Sequence, residues 1–215
     1  MSSRYSPLIL AALAVLSTAC DSNYIYAGYS VYKNFPLDGS VRTWQYNSVD
    51  DSVDWRLLVE KAGTTTSGTQ EVVTLRHTNQ SDKSLIGEVD WSSDSSEGIL
   101  IHRTYEEASA VTTTFDPPIL VSKPQGVPGD SRVTETGGFT FTCTFEDIDG
   151  CATYWAPDWS GEDCFLFTID DGDVDMSTNG LIVGTYWLVP SWGTALMDLD
   201  GYDAQWSLSA GEWDE

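Results

Sequence analysis

Cys20 directly follows an apolar N-terminal segment and a short run of small residues at positions 17–19. One basic residue, Arg4, precedes the apolar run over residues 7–16. This order is typical of a secretory signal peptide. A cysteine in this place can accept a diacylglyceryl group on its thiol, and cleavage before it leaves an acylated N-terminus. The pattern predicts that Cys20 is lipidated and holds the mature chain at a membrane.

The alternative interpretation is an ordinary secretory signal that is cut at the same place and leaves Cys20 as a plain thiol. In either case the apolar run is too short to span a bilayer as a helix. One acyl chain gives only marginal membrane binding, so stable anchoring needs more than one.

We expect a signal peptide at residues 1–19, a lipidated N-terminus and tether at 20–34, and one domain at 35–215. The expected location is the cell envelope of a Gram-negative-type bacterium.

A second group of residues with possible chemistry is the alternating set Asp171, Asp173 and Asp175. Alternating carboxylates can present several hard oxygens to one Ca²⁺ ion. An EF-hand is excluded, because its sixth position would be Met176 instead of glycine and its twelfth would be Ile182 instead of glutamate. An irregular Ca²⁺ loop and a solvated acidic turn both remain possible, and Ca²⁺ is the one cofactor that the sequence suggests.

Three cysteines remain once Cys20 is acylated, so at most one bridge forms within the chain. Cys151 and Cys164 flank a short segment that resembles a hairpin tip, and an envelope location permits disulfides. Cys143 lies among phenylalanines and is expected to be a small buried apolar residue. We therefore expect a bridge between Cys151 and Cys164.

Four tryptophans lie around two proline-containing turns in the second half of the chain. They are Trp155, Trp159, Trp187 and Trp192. If exposed, these rings form a candidate ligand-binding platform that stacks on sugar rings. Large aromatic side chains more often fill a core, and we expect these to close the ends of a β-sheet domain.

The usual catalytic motifs are missing from the sequence. The two histidines, His77 and His102, are both flanked by arginine in predicted strands, and we expect both to be surface residues. No nucleophile elbow, zinc-protease motif or Cys-x-x-Cys pair is present. A glycosidase needs only two carboxylates brought together in space, but the acidic residues are too numerous to name a pair. We therefore expect a protein without catalytic function.

The charge balance excludes nucleic acid as a direct partner. The chain has 33 acidic and 10 basic residues and a net charge of −23. Removal of residues 1–19 takes away Arg4 and no acidic residue, which leaves a formal −24. Phosphate recognition requires a basic patch, and the sequence contains none. The apolar fraction of 41% is nevertheless high enough for a folded domain.

From residue 35 onward, short apolar or alternating segments are separated by clusters of Gly, Pro, Asn, Asp and Ser. Such clusters end strands. In residues 139–145, three phenylalanines and Cys143 alternate with threonines, so they share one face of a strand. Residues 181–189 are apolar at both alternating positions, which predicts a central strand covered on both sides. The pattern predicts a single all-β domain, an antiparallel curved sheet that forms a half-barrel or a β-sandwich.

Several short motifs resemble those of a group of uncharacterised bacterial cell-envelope lipoproteins. They are Phe-Pro-Leu at residues 35–37, Trp-Gln-Tyr at 44–46, Glu-Asp-Cys at 162–164 and the segment at 186–193. In the last segment, Leu188, Val189, Ser191 and Trp192 depart from the group's pattern. The resemblance implies a strongly curved antiparallel sheet that is similar to the half-barrels of the LolA/LolB lipoprotein carriers.

Together these features predict a lipid-anchored, acidic, non-catalytic envelope lipoprotein. Its expected role is that of a binding or structural module with an apolar concave face. The expected partners are the membrane, through the lipid, and a protein, lipid or glycan ligand that the sequence does not identify. The alternative is a carbohydrate-binding or Ca²⁺-dependent adhesion module.

Overall fold

The computed structural model describes residues 29–35, 41–49, 53–67, 70–150, 163–173, 179–189, 193–202 and 204–213. These residues form β-strands and one short 3₁₀ helix, Val31–Asn34, and no α-helix is found among them. The strands are β1 (Tyr29–Ser30), β2 (Val41–Ser48), β3 (Leu57–Ser67), β4 (Gln70–Asn79), β5 (Leu85–Asp94), β6 (Gly98–Glu106), β7 (Val111–Ser122), β8 (Gln125–Gly126), β9 (Ser131–Thr136), β10 (Phe139–Gly150), β11 (Asp163–Asp170), β12 (Gly184–Val189), β13 (Gly193–Leu199) and β14 (Trp206–Trp213). The described part of the chain has no helix with the length and apolar character needed to traverse a bilayer.

Twelve strands form one antiparallel sheet in the order β7-β6-β5-β4-β3-β2-β14-β13-β12-β11-β10-β9. The sheet consists of two meanders, β2 to β7 and β9 to β14, which are joined where β2 pairs with β14. Within each meander, neighbours in the chain are neighbours in the sheet, so short connections are sufficient to build it. The prediction of a single antiparallel all-β domain is confirmed.

The two edges of this sheet, β7 and β9, approach each other and nearly close it. The backbone N–H of Leu120 in β7 donates a hydrogen bond to Thr134 Oγ1 in β9 at 3.3 Å. Beside this contact, the rings of Phe115 and Phe141 meet edge to face at 5.4 Å. Of the two forms expected from the sequence, the structure has the strongly curved, half-barrel-like one.

Alternation along β10 determines which side chains face the interior. Phe141, Cys143 and Phe145 are at most 2% exposed and belong to the core. Thr140 lies on the opposite face and is exposed. The prediction that the phenylalanines and Cys143 share one buried face is therefore confirmed for these residues.

The N-terminal segment at residues 29–35 contributes side chains to the interior. Its strand β1 pairs with β8, with Tyr29 opposite Gly126. The following 3₁₀ helix brings Val31 and Phe35 into the core, where they are 0% and 6% exposed. The Phe35 ring lies 4.8 Å from the ring of Trp91 in β5. This segment thus fills space that the strands alone leave open.

A buried turn at residues 179–183 fills the interior from another direction. The sequence predicted a strand from residue 181, but the N–H groups of Ile182 and Val183 both donate to the Asn179 carbonyl, at 2.9 and 3.0 Å. Strand β12 therefore begins only at Gly184. Leu181 and Ile182 are buried in the core. The prediction was wrong for 181–183 because apolar residues in a buried turn look the same in sequence as those in a buried strand.

We predict that Gly87→Ala destabilises the protein by about 1–3 kcal/mol, the usual cost of overpacking. A Cβ atom at Gly87 would lie 2.3 Å from Leu181 Cδ1 and 2.4 Å from the Tyr105 carbonyl oxygen, and the backbone oxygen cannot easily move away. Gly63→Ala is the matched control, because nothing lies within 4 Å of the added Cβ. Its effect should stay within about 0.5 kcal/mol. Urea unfolding followed by tryptophan fluorescence measures both, and equal losses would contradict the packing argument.

Candidate functional site

A cavity of about 30 Å³ lies inside the sheet and is lined by side chains from both meanders. Most of its wall is apolar, and Phe35, Trp91 and Leu181 are part of it. About 10–15 Å³ is enough for one water molecule, so this cavity has room for one or two. The concave face of the sheet is therefore largely filled by the protein's own side chains.

His77 supplies a polar group to the wall of this cavity. It is 6% exposed, so the prediction that it is a surface residue was wrong. The reason is its position in β4, where it shares the inward parity of Val73 and Leu75. Its Nδ1 shares a hydrogen bond with the hydroxyl of Tyr202, and the two rings are nearly parallel. Burial lowers the pKa of His77 to about 4, so the imidazole is neutral at pH 7.

Two further polar side chains of the cavity wall are tyrosines that hydrogen-bond to the backbone. The Tyr46 hydroxyl donates to the Thr194 carbonyl, and the Tyr186 hydroxyl donates to the Ile182 carbonyl, both at 2.9 Å. Burial raises the pKa of both tyrosines well above its usual value. Tyr46, His77 and Tyr186 are therefore all neutral groups. The Tyr46 and Tyr186 hydroxyls already donate to backbone carbonyls, so each can still offer an acceptor oxygen to a small ligand.

A serine–histidine contact links β5 and β6, and no sequence motif indicated it. Ser92 Oγ and His102 Nε2 are 2.7 Å apart. Burial lowers the pKa of His102, while Asp90 and Glu97 act in the opposite direction. The geometry resembles a nucleophile with its base, but Ser92 is only 1% exposed. A substrate could not reach the hydroxyl in this arrangement, so the contact does not indicate a hydrolase.

The acidic loop after β11 contains two of the three predicted Ca²⁺ ligands within the described residues. Asp171 is buried, and its carboxylate accepts hydrogen bonds from Asn179 Nδ2 at 2.9 Å and from the Asp173 N–H at 3.2 Å. Asp173 is exposed, and Asp175 lies outside the described residues. Among the residues that the structure describes, no three His, Cys, Asp or Glu side chains are placed to hold a metal ion. One Asp171 oxygen therefore holds the buried turn through Asn179, and the other accepts from the backbone of its own loop.

The cysteines differ in their environments. Cys143 is a free thiol, 1% exposed, and burial raises its pKa to about 12, so it is not reactive. Cys164 is buried in β11. Cys151 lies outside the described residues, but it directly follows Gly150, whose backbone pairs with Asp163. The bridge between Cys151 and Cys164 remains a prediction.

Of the four predicted tryptophans, the described residues include Trp187, and the platform remains a prediction. Trp187 lies in β12 and is half-buried. Its neighbours Tyr186 and Leu188 point into the core, so alternation places Trp187 on the opposite face. Trp155, Trp159 and Trp192 lie outside the described residues, as does the predicted lipidation site, Cys20.

Acidic side chains dominate the outer face, and two of the arginines there are already paired. Arg76 binds Glu88 at 2.9 Å, and Arg103 binds Asp90 at 2.7 Å and Glu88 at 3.3 Å. These cross-strand pairs are partly exposed and contribute little stability individually. Because their charge is already compensated, the arginines do not form a patch for an anionic partner.

Comparisons with models of protein families, with curated proteins and with solved structures found no match to this chain.

We predict that His77 makes stability fall as the pH decreases from 6.5 towards 4. The unfolded histidine binds a proton near pH 6.5, whereas the folded one does so only near pH 4, so protonation favours the unfolded chain within this window. Above pH 6.5 the neutral His77 makes its full contribution to the free energy of unfolding. Complete loss of this contribution lowers that free energy by at most about 3 kcal/mol. Urea unfolding at several pH values should show a steeper decline for the parent than for His77→Asn. His102→Asn should flatten the decline less than His77→Asn, because His102 is only partly buried and Asp90 and Glu97 oppose the lowering of its pKa. A parallel decline in all three proteins would contradict the assignment.

We predict that Ca²⁺ stabilises the protein mainly by screening its negative charge and not through the Asp171–Asp173 loop. The net charge repels itself in the compact state, so any added salt should help. Thermal melts at matched ionic strength should therefore give similar midpoints in Ca²⁺ and Na⁺, both for the parent and for Asp173→Asn. A large Ca²⁺-specific rise that saturates at low concentration and disappears in Asp173→Asn would show a true site.

Proposed function

We propose that residues 20–215 form a lipid-anchored, non-catalytic binding module of the bacterial cell envelope, whose ligand site is the apolar interior of the curved sheet. The observation that carries the anchoring is the apolar N-terminal segment with its small residues directly before Cys20. The resemblance of the sequence motifs to envelope lipoproteins supports the same proposal, and the curved, nearly closed sheet is consistent with the half-barrel that this resemblance implies.

The interior supports a binding role better than a catalytic one. Its wall combines aromatic and aliphatic side chains with a few neutral polar groups, which is the usual composition of a small-molecule site. Catalysis by a serine is disfavoured by the burial of Ser92. The small volume of the cavity restricts the proposed ligand to a molecule that displaces a side chain or fits beside one.

The Cys151–Cys164 bridge belongs to the same proposal. It would tie the segment between β10 and β11 to the sheet and, if its geometry is relaxed, would contribute about 2–3 kcal/mol by closing a short loop. An oxidising envelope compartment permits this bridge, and Cys143 is not its partner because that thiol is free.

The test is expression of the full chain and of Cys20→Ala in a Gram-negative host. We expect the parent in the membrane fraction with an acylated N-terminal peptide, and Cys20→Ala unprocessed or soluble, because only the Cys20 thiol can carry the lipid. Fractionation and mass spectrometry of the N-terminal peptide measure this.

Cys143→Ala is the matched control, since it removes a cysteine that is buried and free and should leave the anchoring unchanged. Peptide mapping without reduction, on the same samples, reads the Cys151–Cys164 bridge. A mature parent protein with an unmodified Cys20 would refute the anchor.

A further inference from the structure

We propose that the interior of the sheet binds a small, neutral, ring-shaped molecule with one hydrogen-bonding group, and that the Phe35 ring occupies this position in the described structure. This inference rests on the proposed binding function of the interior. It adds the location of the site, the class of ligand and the side chain that the ligand must displace. The predicted lipid anchor is not needed for it.

Two cavities lie on either side of Phe35. The larger, of about 30 Å³, and a smaller one of about 10 Å³ share Phe35, Trp91 and Tyr186 as walls. Trp91 and Tyr186 belong to β5 and β12, and their rings meet edge to face at 6.1 Å across the interior. Phe35 is the shared wall that does not come from a strand of the twelve-stranded sheet. Withdrawal of its ring would join the two cavities into one space.

Among the described residues, the segment that carries Phe35 is tied to the domain by a short ladder, two side-chain hydrogen bonds, its buried apolar side chains and the ring contacts of Tyr29 with Phe145 and Phe165. Strand β1 pairs with β8 over two residues only. Beyond that ladder, Ser93 Oγ donates to the Tyr32 carbonyl at 2.8 Å, and Gln125 Nε2 donates to Ser30 Oγ at 3.2 Å. Moving Trp91 or Tyr186 would instead disrupt strands that are paired on both sides. Of the three shared walls, Phe35 is therefore the one whose displacement leaves the pairing of the twelve-stranded sheet intact.

The chemistry of the site defines the class of ligand. The vacated space would have the shape of a benzene ring, and apolar cavities of about 150 Å³ are known to take up benzene. Around the larger cavity, His77 and Tyr46 provide neutral polar groups. A charged carboxylate or phosphate would be buried there without an opposite charge, which is costly. A phenol-like or alcohol-bearing aromatic molecule meets both requirements.

The test uses the full-length chain with Cys20→Ala, so that the result does not depend on acylation. 4-Bromophenol is the probe, because its ring matches that of Phe35 and its bromine quenches the fluorescence of Trp44 and Trp91 in the cavity wall. We expect Phe35→Ala to bind the probe at least ten times more tightly than the parent, since no side chain must leave. Bromobenzene should bind this variant more weakly than bromophenol, because it lacks the hydroxyl.

Phe141→Ala is the matched control: Phe141 is fully buried but lines neither cavity. It should bind no more tightly than the parent. If Phe35→Ala does not fold, Phe35→Leu provides the same comparison with a smaller expected gain. The proposal is overturned if the folded Phe35 variant shows no gain, if Phe141→Ala gains equally, or if bromobenzene binds as tightly as bromophenol. A mature parent protein with an unmodified Cys20 would refute the anchor and leave this result intact.

Discussion

The space inside a nearly closed sheet of twelve strands must be filled, and the rest of this structure depends on how that is done. Strand side chains can fill a closed sheet of about eight strands by themselves, whereas a wider sheet leaves room. Here Phe35, from the N-terminal segment, and Leu181, from the buried turn, both enter that room and meet the strand residues around one cavity. Gly87 has no side chain and so leaves the space that Leu181 occupies. The packing of a turn far away in the chain therefore requires a glycine at this position of β5.

The interior and the exterior of the sheet differ sharply in electrostatics. The outer face carries most of the acidic side chains of this strongly acidic protein. The polar groups in the cavity wall include an imidazole and phenols, which burial keeps uncharged. Each of these groups has a hydrogen-bond partner, as in the contact between His77 and the partly buried Tyr202. An unpaired group there would cost its full desolvation energy. The interior is therefore polar enough to orient a ligand and neutral enough to exclude ions.

The sequence predicted the fold class because alternation and turn clusters are local signals, and β10 shows both. The pairing of β2 with β14 was not predicted, since it joins opposite ends of the domain and no local pattern encodes it. The burial of His77 was not predicted. Its position in β4 is in the same alternation as that of Val73 and Leu75, which indicates an inward side chain, but histidine is a residue type that suggests a surface position. The role of Asp171 as an anchor for the buried turn could not be read from spacing alone, since the partner Asn179 is placed by the tertiary fold.

The order of segments along the chain connects the two proposals. Phe35 lies fifteen residues after the predicted lipid site at Cys20, and between them lies β1, whose backbone pairs with the domain over two residues. A force or a binding event at the anchored end would act on this weak ladder before it acted on the twelve-stranded sheet. Under the proposed displacement of Phe35, occupation of the interior by a ligand and the docking of the N-terminal segment exclude each other. On this arrangement, a module held at a membrane can report its ligand state through the segment that tethers it, without any change in the sheet itself.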